Sequence, residues 1–164
     1  MKLESLNELL VEQLQDLYSV ERQIIEALPK MIEKANSSRL KAGLSEHLQQ
    51  TKGQLSRLDR IFDQIREADR DDKKCKGMEG IIKEGEEIVK AKGDAEVRDA
   101  GIISAAQRVE HYEIASYGCA RTYAQLLGHN DWAQLLQQTL DEEKQTDQKL
   151  NQMAETINVE ARAA

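Results

Sequence analysis

The stretch Val109-Glu110-His111-Tyr112-Glu113-Ile114-Ala115-Ser116-Tyr117 decides the fold. It sets two carboxylates three residues apart inside a long run of apolar and small residues. Residues at i and i+3 share a helical face, so Glu110 and Glu113 project together. Steps of four and three trace a seam through Ile102, Ala106, Val109, Glu113, Ser116, Ala120, Tyr123 and Leu127. Glu113 therefore stands where a helix bundle normally places an apolar residue. A buried carboxylate is costly unless it is paired or bound to a metal.

The same pattern recurs on either side. Ser5-x-x-Glu8 is a capping-box signature opening a helix over about 5–36, with the seam Leu10, Leu14, Leu17, Glu21, Ile24, Leu28, Met31. Pro29 falls inside it and predicts a kink or interruption near Ala27–Leu28. A second helix, about 38–68, carries Leu44, Leu48, Thr51, Leu55, Leu58, Phe62 and Ile65, with a polar gap from Gln49 to Gln54. A short helix, about 77–91, reads as a crossover element. A fourth, about 94–128, is capped by Asp94 and stopped by Gly128. The last, about 130–158, is capped by Asn130, with a frayed tail after Val159; its seam includes Trp132, Leu136, Thr139, Glu143, Thr146 and Leu150.

Two hairpins joined by a long connection predict one all-α domain spanning 1–164, a four-helix bundle with an additional short crossover helix. Glu21, Glu113, Glu143 and the polar gap of the second helix all fall near mid-helix, at similar depth. One polar layer in an apolar bundle is how di-iron and di-manganese carboxylate proteins hold their ions, and carboxylates suit such hard cations. Glu21, Glu110, Glu113, Glu143 and Asp147 are the candidate metal ligands.

Composition narrows the classes. Across 164 residues, 32% are charged, 4% are aromatic and one is proline; the net charge is −7. That charge argues against general affinity for nucleic acid or anionic membranes. No apolar run approaches the roughly 20 residues that span a bilayer. The N-terminus lacks a signal peptide's apolar core, so a cytoplasmic location is expected. Cys75 and Cys119 show no metal spacing, and Cys119, in a small-residue stretch, reads as buried and inert. Of the histidines, His111 points off the Glu110 face and His129 lies in a turn. His47 is the nearest of the three to the polar gap. Tyr18, Tyr112, Tyr117 and Tyr123 read as core residues whose hydroxyls bond carboxylates.

Four segments, Asp16–Glu21, Cys75–Gly80, Val109–Gly118 and Asp141–Asp147, resemble the YciF/YciE family of bacterial ferritin-like proteins, in the right order over almost the whole chain. The resemblance implies a ferritin-like bundle, a homodimer and a link to stress responses, with no settled activity. Where that family commonly carries a Glu-rich run, this chain has Gln49, Gln50 and Lys52. Glutamine is a weak neutral ligand, and a protonated lysine binds no metal. Helix 5 also lacks the histidine of a Glu-x-x-His. Two readings stay open. In one, the site is degenerate, Lys52 replaces the metal's charge, and the protein is structural, oligomeric and stress-associated, not a competent di-iron enzyme. In the other, it binds iron or manganese as an oxidoreductase-like or iron-handling protein. The second-helix substitutions favour the first.

Overall fold

The computed structural model describes residues 4–65, 69–70 and 73–164. Its helices are α1 (Leu6–Lys34), α2 (Ser38–Phe62), α3 (Lys76–Lys90), α4 (Ala95–Leu126) and α5 (Asn130–Ala163), with no strand among the described residues. No described helix is long and apolar enough to cross a membrane.

The helix starts follow the local chemistry. Ser5 Oγ accepts the Glu8 N–H at 3.1 Å, and Asp94 Oδ1 accepts the N–H groups of Glu96 and Val97 at 2.9 and 3.1 Å. Gly128, at φ +82°, closes α4 as its position past the last turn predicts. Four expectations need correction. First, α1 runs unbroken through Pro29, whose exposed ring lies on the solvent side, where the carbonyl it frees can meet water. Second, α2 stops at Phe62, well before residue 68. Arg70 folds back onto Asp59 and Asp63, and Gln64 Oε1 accepts the Trp132 indole N–H at 2.9 Å. Third, α5 is capped by His129 without a side-chain bond; its ring stacks on Trp132 at 4.0 Å, and Asn130 is already helical. Fourth, α5 continues to Ala163, because alanine, glutamate and arginine hold a helix well.

Four long helices form the bundle. α1 packs on α2 and α4, and α5 packs on α4 and α2, while α3 lies outside against α4 and α1. One apolar cluster joins the start of α1 (Leu10, Leu14, Leu17) to the end of α2 (Leu58, Ile61), the end of α4 (Ala120, Ala124) and the start of α5 (Leu136). The other joins Ile24 and Leu28 to Leu40, Leu44, Ile102, Ile103, Leu150 and Met153. Neighbouring helices are thus antiparallel, and the two clusters leave a central layer between them. Cys119 faces solvent, on the outer side of α4, so it is not buried. Cys75 is buried; it caps α3, and its N–H donates to Ser19 Oγ at 2.9 Å.

Two glycines test how tightly the helices meet. A Cβ at Gly101 would lie 2.6 Å from Cγ2 of Ile88, a stiff β-branched side chain on α3. Gly101→Ala is expected to cost about 1–2 kcal/mol by forcing α3 away. A Cβ at Gly43 would meet Met153 Cε at 2.7 Å, the free end of a flexible chain. Gly43→Ala is expected to leave stability unchanged or higher, since alanine gains about 1 kcal/mol of helix propensity. Urea midpoints of the two variants check this; equal losses would refute the distinction.

Candidate metal centre

The central layer is built from every bundle helix. α1 supplies Glu21, α2 His47, Thr51 and Gln54, α4 Glu110, Glu113 and Tyr117, and α5 Glu143; each is 3% exposed or less. On α2 and α4 the contributing residues follow steps of four and three, so each set lies on one inward stripe.

Some of these groups answer one another. Tyr117 OH donates to Glu21 Oε1, and Gln54 Nε2 donates to Glu143 Oε1. Gln54 Nε2 also reaches Glu142 Oε2 at 3.1 Å, and Arg57 grips both Glu142 oxygens at 2.7 and 2.5 Å. Thr51 turns its hydroxyl back to the His47 carbonyl at 2.8 Å. Much of the layer nevertheless stays unanswered. Both ring nitrogens of His47, both oxygens of Glu113, Oε2 of Glu21, Glu110 and Glu143, and Oε1 of Gln54 are buried without a hydrogen-bond partner. His47 Nδ1 lies 3.4 Å from Glu110 Oε1. One donor atom from each of His47, Glu110 and Glu113 lies within 4.8 Å of the others.

Electrostatics follow from this crowding. Burial, then the charge of Glu143, pushes Glu21, Glu110 and Glu113 well above the ordinary carboxylate range. Burial pushes Glu143 up to about 7, against the opposing pull of Glu110, Gln54 and Arg57. Burial alone lowers His47 to about 4. In metal-free protein the folded carboxylates therefore hold protons that the unfolded chain releases near pH 4.3. Their stabilising protonation is complete below that value; Glu143 loses it as pH rises through about 7, and Glu21, Glu110 and Glu113 lose it as pH rises through their own raised ranges. His47 works oppositely, costing stability as pH falls from about 6.5 towards 4. Four carboxylates outweigh one imidazole, so the melting temperature of metal-free protein should fall from pH 5 to pH 8. Calorimetry across that range checks it; a flat or rising trend would contradict the assignment.

The expected residues divide as follows. Glu21, Glu110, Glu113 and Glu143 converge, and Glu110 is as buried as its neighbours. Asp147 sits at the rim, with its side chain 18% exposed, near His111 and held by Gln107 and Asn151. Lys52 and Gln49 are exposed, and half-buried Gln50 accepts the Thr146 hydroxyl at 3.4 Å. Lys52 is therefore not a stand-in for the metal's charge: on α2 it points outward, and His47, Thr51 and Gln54 point inward. His47, the histidine nearest the polar gap, and Gln54, the last residue of that gap, join the layer although neither is among the candidate ligands read from the sequence. Of the tyrosines, Tyr117 bonds a carboxylate of the layer, Glu21, whereas Tyr18 and Tyr112 bond carboxylates outside it, Asp59 at 3.2 Å and Asp16 at 3.0 Å.

Comparison with known proteins agrees with this architecture. The chain is 40% identical to protein YciF of Escherichia coli K12 over 94% of its own length and 93% of that protein's. It superposes on the crystal structure of the E. coli stress protein YciF with a TM-score of 0.91, covering 94% of this chain and 98% of that one at 39% identity. YcfI from Rhodopseudomonas palustris, described as a candidate structural protein, gives a TM-score of 0.86 at 42% identity, over 90% and 94% of the two chains. A Xanthomonas campestris protein at 22% identity shares the fold, with a TM-score of 0.74 over 94% and 93%. The family model described as a domain of unknown function, DUF892, matches residues 5–163, and the chain belongs to that family.

Proposed function

We propose that this protein is a stress-associated, ferritin-like metal-binding protein whose central layer holds iron or manganese. The observation that carries the reading is the convergence of buried, unpartnered donor atoms from His47, Glu110, Glu113, Glu21 and Glu143. Buried polar groups are nearly always satisfied, so a cluster of exceptions points to an absent ion. Oxygen donors with one imidazole suit Fe(II) or Mn(II), and two divalent ions would balance four carboxylates. His47, Glu110 and Glu113 would hold one ion; Glu21, Glu143 and Gln54 would complete a second position. Bound there, such ions would supply one-electron redox chemistry. The protein's own residues exclude water around them, Tyr117 fixes Glu21, and the Arg57–Glu142 pair with Gln54 fixes Glu143. The stress association draws on the description of the E. coli relative.

Elemental analysis of protein purified without chelators from iron- and manganese-supplemented cells tests the proposal. One or two ions per chain are expected. Restoring Fe(II) or Mn(II) to stripped protein should raise its melting temperature, because a ligand that binds only the folded state must stabilise it. A clean zero after loading in vitro would overturn the reading and favour a metal-free, oligomeric role.

A further inference from the structure

A cavity of about 50 Å³ adjoins the carboxylate layer, lined by residues from all five helices. Its body is apolar, with Leu28, Leu44, Ala105 and Ala106 in its walls. At its inner edge stand His47 and Glu110, 3% and 1% exposed, with both His47 nitrogens and Glu110 Oε2 lacking hydrogen-bond partners. The lining reaches the surface at two ion pairs. Lys30 Nζ meets Glu86 Oε1 at 2.9 Å between α1 and α3, and Lys149 Nζ meets Glu46 Oε1 at 2.8 Å between α5 and α2.

We infer that this cavity takes up an apolar molecule of the size of dioxygen and presents it to the His47–Glu110 edge of the layer. Size excludes larger ligands: an apolar cavity that admits benzene has about 150 Å³. Polarity decides against water in the body of the cavity, since a held water needs two to four polar partners and the free polar atoms sit at one edge. Exposed ion pairs are weak closures, worth about 0–1 kcal/mol, so they leave the passage accessible. Met153, in contact range of Gly43, is a flexible wall whose movement widens it. The delivery step rests on the proposed metal centre; the uptake step does not.

Xenon separates the two. Crystals of metal-free protein under xenon pressure should show one atom in this cavity, beside Leu44 and Ala106. Ala106→Leu, which fills the space, should remove it, and Met153→Ala should raise its occupancy. Absence of xenon from both the parent and Met153→Ala, or its persistence in Ala106→Leu, overturns uptake. With Fe(II)-loaded protein at limiting dioxygen, Ala106→Leu should slow oxygen consumption about fivefold or more at unchanged iron stoichiometry. Equal rates overturn delivery. A chain that takes xenon yet binds no iron overturns the metal reading, and delivery with it, while uptake stands.

Discussion

Replacing Glu113 with leucine will raise the melting temperature of the metal-free protein and abolish its metal uptake. Glu113 is fully buried, and neither of its oxygens has a hydrogen-bond partner. The charges of Glu143, Glu21 and Glu110 all disfavour its ionisation. Leucine has similar length, is a stronger helix former and removes both the desolvation cost and the repulsion. Replacing a buried, protonated carboxyl that has no partner by well-packed apolar volume removes an unsatisfied-group penalty of about 1–3 kcal/mol. For a chain of this size that is roughly 2–4 °C for each kcal/mol. Glu113→Gln keeps the shape and drops the charge, so it should gain less while still losing metal. A metal-free Glu113→Leu protein that melts below the parent would show that the carboxylate is satisfied in a way the geometry does not contain.

This prediction sets stability against function at one residue. A side chain that destabilises the empty fold is one whose partner is absent, and metal loading should reverse the order of the two proteins. The parent with Mn(II) should melt above Glu113→Leu with Mn(II), although without metal it melts below. That crossing distinguishes a site from a polar core that merely tolerates its charges.

The bundle was legible in the sequence because caps, seams and Gly128 agree at every level. Glu21, Glu113 and Glu143 were legible because a charge on an apolar seam is conspicuous. His47 and Gln54 were not, for a geometric reason. The seam read for α2 traces Leu44, Leu48, Thr51, Leu55, Leu58, yet Leu48 and Leu55 are only half-buried, and the innermost stripe is Leu44, His47, Thr51, Gln54, Leu58. In α4, likewise, Val109, Ser116 and Tyr123 flank the stripe that Glu110, Tyr117 and Ala124 occupy. One residue is about 100° of helix rotation. Where a polar layer fills the centre of the buried face, apolar residues mark its edges, and hydrophobic periodicity alone points slightly past the site. The same offset leaves His47 at the margin of the expected site, whereas Lys52 enters as a substitute for the metal's charge through the family resemblance, not through periodicity. Cys119 failed differently: small neighbours suggested burial, but they belong to the outer side of α4.

Asp99 carries the largest expected loss outside the apolar core. It lies in the first turns of α4, is 1% exposed, and accepts the N–H groups of Asn36 and Ser37 at 2.8 and 2.6 Å, one on each oxygen. Those amides belong to the short turn between α1 and α2, so one carboxylate ties the first hairpin to the second. It also supports the start of α2, where Ser37 Oγ accepts the Leu40 N–H at 3.4 Å. Asp99→Ala strands both amides, at about 1–3 kcal/mol each where water is shut out. Asn36 itself is exposed, so water recovers part of that cost; a net loss of about 2–4 kcal/mol is expected. Asp99→Asn keeps one acceptor oxygen and should lose about half as much. Thermal melts read the size of the effect, and amide hydrogen exchange at residues 36 and 37 reads its cause. Faster exchange at these two amides with little change elsewhere in α2 would place the loss in the turn. Unchanged exchange there, or an Asp99→Ala protein as stable as the parent, would mean that the hairpins are registered by the apolar clusters alone.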